Sequence, residues 1–179
     1  MRKQIFLFLL LFLVTSISFA NEVSFSSYSN ARYNYQLDYP LFLIPQGESE
    51  NGDGQKFIGN DAELIVYGSF FPILDSQKNQ NQFNLEEEFD YEKKRLKQEG
   101  FELDYTYFSL SKNIFVISGT SNTQVVYFKK IFVPSCGVHL YFWLYYPKTE
   151  KKQWDSWVTK ASKSFKYSTK KCQGDFIQN

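Results

Sequence analysis

The sequence predicts an α+β fold, a largely antiparallel β-sheet packed by helices. Three observations lead there. Apolar patterns of period two dominate, and two helical patterns interrupt them in the order strands, helix, strands, helix. The later strands are separated by turns too short for parallel crossovers. One run, Cys136 to Pro147 (CGVHLYFWLYYP), is bulky on both alternating sides, as expected of a central strand with protein on either face. Val138, Leu140, Phe142, Leu144 and Tyr146 would point one way, and His139, Tyr141, Trp143 and Tyr145 the other.

The chain opens with a positive Met-Arg-Lys start, an apolar run from Ile5 to Val14, and Ser18 and Ala20 as small residues before a cleavage point. Residues 1–20 are therefore expected to be a signal peptide, and the run is short for an uncleaved membrane helix, which needs about 20 apolar residues. No cysteine stands near that junction to carry a lipid. Removing the leader leaves 18 basic against 19 acidic residues. That balance supplies no electrostatic drive toward nucleic acid or an anionic membrane. Aromatic residues make up 20% of the sequence and favour sheet.

Residues 21–30 are polar and Ser-rich, and are expected to form a flexible lead-in segment. The domain proper is expected over 31–166. Arg32 to Pro40 alternates as a half-buried strand, Leu41 to Ile44 suggests a short second one, and Gln46 to Gly54 (QGESENGDG) reads as a loop. Its Glu48, Glu50 and Asp53 invite a calcium site, but they lack EF-hand spacing, so a turn is favoured. Gln55 to Ile58 and Ala62 to Phe71 follow as strands around Gly59-Asn60-Asp61, with Gly68 marking a bulge or a close backbone approach. A polar linker covers 75–84.

Leu85 to Glu99 is a predicted helix, with Asn84 able to cap it and Glu87 able to complete a capping box. Acidic residues crowd its start, basic residues its end, and Gly100 follows. Its apolar stripe is thin: Leu85, Phe89 and Leu96. Leu103–Leu110, Ile114–Thr120, Val125–Val133 and Cys136–Tyr146 form an expected meander. Trp154, Trp157, Val158, Ala161 and Phe165 then mark the apolar stripe of a second helix over about 150–165. Residues 167–179 form a tail.

Several blocks taken together carry a resemblance. They are Tyr33 to Pro40 (YNYQLDYP), Glu50 to Gly54 followed by Phe57, Val66-Tyr67-Gly68, Phe115 to Gly119, Tyr146-Pro147 and Ser162 to Phe165. As an ordered set they resemble an uncharacterised family of exported bacterial proteins with a PsbP-like (DcrB-like) fold. The resemblance implies an exported single domain, an α/β/α sandwich, and a binding or accessory role. It implies no catalytic residue, and no cofactor is expected.

The chemistry on offer is sparse. The chain has two cysteines, Cys136 and Cys172, and an even count in an exported chain suggests one disulfide rather than two free thiols. If the second helix folds back along the central strand, the tail after it is long enough to bring Cys172 to Cys136. Metal binding is disfavoured, because Cys136 and His139 alone do not complete a zinc site. His139 is the only histidine and lies among aromatics mid-strand, a poor position for a catalytic base. A hydrolase built on Asp38, Asp53, Glu63 or Asp104 stays open as the alternative function. The favoured function is a non-catalytic envelope module whose partner is a protein or small ligand. His139, Tyr141, Trp143 and Tyr145 are the candidate binding face. The competing expectation for that row, and the favoured one, is core beneath a helix.

Overall fold

The computed structural model describes residues 23–70 and 84–168. The expected leader, most of the expected linker, and most of the expected tail with Cys172 lie outside the described residues.

The chain begins with β1 (Phe25–Asn30) and β2 (Tyr35–Pro40), paired antiparallel from Phe25↔Pro40 to Asn30↔Tyr35. Residues 25–30 are thus a strand and not a loose lead-in. Its three serines hide it: Ser27 and Ser29 are exposed and Ser26 is half-buried, while Phe25 and Tyr28 pack against the core. Asn30 closes the hairpin, its side-chain carbonyl accepting from the Tyr33 amide at 2.9 Å and its side-chain amide donating to Gly52 O at 2.9 Å.

β3 (Ile44–Glu48) also differs from expectation, since it runs into the predicted loop. It is exposed along its whole length and its register shifts between Pro45 and Glu48. An edge strand held by backbone pairing has no buried alternation to reveal it. The true loop is residues 49–53. Its acidic neighbours are satisfied by protein: Tyr28 donates to Glu48 at 2.8 Å, and Asn51 donates to Asp53 at 2.9 Å. β4 (Gly54–Gly59) and β5 (Ala62–Phe70) meet at Asn60 and Asp61, with φ of 50° and 55°. Two successive positive φ values suit a twisted two-residue hairpin. Gly68 lies in unbroken register, so it marks a close approach and not a bulge. A Cβ there would stand 2.3 Å from the Tyr33 ring.

α1 (Leu85–Gln98) buries the three expected apolar residues, and the Asn84 side chain accepts from the Glu86 and Glu87 amides at 3.0 and 3.3 Å. β6 (Glu102–Ser109), β7 (Ile114–Thr120), β8 (Gln124–Val133) and β9 (Val138–Pro147) form the meander. Cys136 does not open β9. It closes a 3-10 turn over Pro134–Cys136, and Gly137 at φ 60° redirects the chain into the strand. α2 (Lys151–Ser164) follows, and β10 (Lys166–Tyr167) pairs with β2.

Two antiparallel sheets result. The larger has seven strands in the order β3-β4-β5-β9-β8-β7-β6, and the smaller has three, β1-β2-β10. β9 is the middle strand of the seven, with β5 on one side and β8 on the other. Its pleat divides two cores. Leu140, Phe142, Leu144 and Tyr146 share one cluster with β2 and with Trp154, Val158, Ala161 and Phe165 around α2. Trp143 shares the other with Leu85, Phe89 and Leu96 of α1. The layers are therefore α1, the large sheet, then α2 beside the small sheet.

Trp154 is wholly buried and stacks on Tyr146 at 5.2 Å. Trp157, expected on the same stripe, is only half-buried, against Trp154 and Phe42.

Candidate functional site

Alternation along β9 sends His139, Tyr141, Trp143 and Tyr145 to the α1 side. Antiparallel register adds partners from both neighbours. Tyr67 and Lys130 flank Tyr141, Ile65 and Phe128 flank Trp143, and Glu63 and Val126 flank Tyr145. The rings stand nearly parallel. Tyr67 stacks on Tyr141 (4.5 Å, 8°), Phe128 on Trp143 (3.5 Å, 5°), and Trp143 on Tyr145 (6.2 Å, 7°). Such parallel stacks add to the burial of aromatic surface and hold each ring at a fixed angle.

α1 packs over β6 and β7, so it reaches this row from one side. His139 and Trp143 are buried, at 2% and 8% exposure, whereas Tyr141, Tyr145 and Tyr67 are half-buried. Helix side chains complete the rim. The Arg95 guanidinium lies 4.9 Å from the Trp143 ring centre and bridges Glu92 and Glu99. Lys130 is 1% exposed, yet it bridges Glu88 of α1 and donates to the Tyr141 hydroxyl at 3.1 Å. Burial lowers the Lys130 pKa while Glu88 opposes that shift. A buried ammonium is tolerable only with such partners.

His139 is pushed down to about 3, first by burial and then by Lys130. It is neutral at physiological pH and enclosed by protein, which does not suit a base working on a substrate.

Beyond Tyr145 the face opens into a cleft of about 610 Å3, lined among others by Ile58, Asn60, Asp61, Glu63 and Gln124. Lys56 lies 2.5 Å from Glu63. The four carboxylates of the alternative hydrolase site are not brought together. Asp38 accepts from Ser27 in the small sheet, and Asp53 lies in the 49–53 loop. Glu63 is on β5, and Asp104 is on β6, four strands away, or about 19 Å at normal strand spacing. No group of three metal-binding side chains occurs among the described residues.

Cys136 lies 3.4 Å from the Tyr167 hydroxyl, so the chain after α2 does return to it. Cys172 lies outside the described residues.

Sequence reasoning missed Tyr67, Phe128 and Lys130. Each sits on a strand whose alternation was visible, but only cross-strand register places them on the β9 row. No helix among the described residues is long and apolar enough to cross a membrane.

No protein-family model and no curated protein matches the chain. Solved structures do. Cyanobacterial PsbP (CyanoP) from Synechocystis is similar with a TM-score of 0.57 at 16% identity, over 86% of this chain and 98% of that one. The Ran-binding protein Mog1p of Saccharomyces cerevisiae gives 0.55 at 9% identity, over 82% and 96%. A point mutant of Mog1 gives 0.56 at 9% identity, over 82% and 97%. At these identities the likeness concerns the fold, and the chain has a PsbP-like α+β fold.

Proposed function

We propose that the protein is an exported, non-catalytic module of the cell envelope that binds a protein or small ligand through the α1-side aromatic row. The observation that carries this is the incomplete cover of that row: Tyr67, Tyr141 and Tyr145 stay half-buried after both cores are closed. Rigid aromatic rings at a rim of paired charges are what binding surfaces present. The Mog1 scaffold, described as Ran-binding in yeast, makes a protein partner physically admissible for this fold. Export rests on the apolar leader and its Ser18-Phe19-Ala20 ending.

In the same proposal Cys136 and Cys172 are bonded, tying the tail to the turn before β9. Support comes from the even cysteine count and from Tyr167 beside Cys136. Its role is structural. In the chain-entropy model a loop of this length contributes roughly 3–4 kcal/mol. Site-specific photo-crosslinking from position 67 in intact cells tests the binding face, with an adduct as the expected result.

A further inference from the structure

We propose that the cleft beside Tyr145 is a saccharide subsite, taking an uncharged, hydroxyl-rich ring against the Tyr145 face. This rests on the binding function above and names a ligand class for one end of the row.

The geometry supplies a platform. Tyr145 is the last ring of the described stack, and its inner side is turned to Trp143. Trp143 does not line the cleft and Tyr145 does, so the ring presents its other side to it. The stack through Trp143 to Phe128 fixes that side before any ligand arrives, which lowers the ordering cost of binding.

The lining selects among ligands. Asn60, Asp61, Glu63 and Gln124, which carry carboxylate and amide groups, line the cleft together with the ring. An aliphatic or purely aromatic ligand would strip these of water and return no hydrogen bonds. A phosphate or other anion would meet two carboxylates, and no basic residue lines the cleft among the described residues. A cation fares little better. Lys56 already occupies Glu63, and Arg95, which pulls against the burial-raised pKa of Tyr145, already stands by that ring. A sugar ring answers both demands: its C–H face stacks on Tyr145, and its hydroxyls donate to the carboxylates and accept from the amides. The open form of the cleft suits one residue of a chain more than an enclosed monosaccharide.

The test is an NMR titration of the mature protein with cellotriose, maltotriose and triacetylchitotriose, each to about 10 mM, where millimolar affinity is measurable. At least one should shift the signals of Tyr145, Glu63 and Gln124. Tyr145→Phe should keep the effect, and Tyr145→Ala should weaken it about tenfold. Gln124 is exposed, so Gln124→Ala gives a second weakened variant with the fold undisturbed. Absence of shifts with all three sugars overturns the proposal, as do shifts away from the cleft or shifts that survive both alanine variants. Should the sugars fail while position 67 still crosslinks, only the saccharide assignment falls. Should both fail, the binding function falls with it.

Discussion

Lys129 donates to Ser162 O at 2.5 Å and to Phe165 O at 3.1 Å, closing the last turn of α2 from the neighbouring strand. Tyr127 and Ser162 hydroxyls meet at 2.6 Å beside it. A cation at a helix C-terminus is well placed against the dipole. Burial nevertheless pushes the Lys129 pKa down to about 8. In the unfolded chain it stays near 10.4. Between those values the unfolded chain binds more protons, so the Lys129 contribution to stability rises with pH and is lowest below 8. Lys129→Met should cost about 1–3 kcal/mol at neutral pH by leaving two carbonyls unsatisfied. It should also remove this rise. Urea unfolding of both proteins from pH 7 to 10 measures the difference, in which the shared tyrosines cancel. Parallel curves would show that Lys129 is not buried charged.

At the scale of elements, α2 holds the second layer through one fully buried ring. Trp154 packs on Tyr146, Phe42 and Trp157, and its indole donates to Glu150 at 3.1 Å. Trp154→Ala should cost about 3–5 kcal/mol. Trp157→Ala should cost clearly less, because its ring is half-buried; equal unfolding midpoints for the two variants would contradict this packing. The stripe was legible from sequence because its spacing is helical, but spacing alone did not rank the two tryptophans. The rank depends on Phe42, in a turn far away in sequence. β1 and β3 were hidden for a related reason. A serine-rich strand and an exposed edge strand carry no hydrophobic period, and only pairing with β2 and β4 makes them strands.

At the scale of the molecule, β9 was legible as the central strand because both of its faces are bulky, and the turns after α1 fixed the meander. The pairing of β5 with β9 was not legible. It joins residues 68 to 82 positions apart, from Phe70↔Val138 to Glu63↔Tyr145, and with it comes the placement of Tyr67 and Glu63 on the aromatic row. Local patterns therefore showed the row on β9 but not how much of it α1 leaves open. Export and the bridge belong to this scale too. Intact mass of the protein purified from the envelope without reductant should correspond to a chain starting at Asn21, lighter by two hydrogens than its reduced form. A mass that retains Met1 would remove export by cleavage, and two alkylatable thiols after denaturation would remove the bond.

The central claim, that the half-covered α1-side row is the binding face, is tested most directly by crosslinking. Benzoylphenylalanine is placed at Tyr67 on the row, or at Tyr105, which is 54% exposed on the edge strand β6. The account predicts a discrete adduct in intact cells from position 67 and none from position 105. Equal labelling from both positions, or an adduct from position 105 alone, would contradict it.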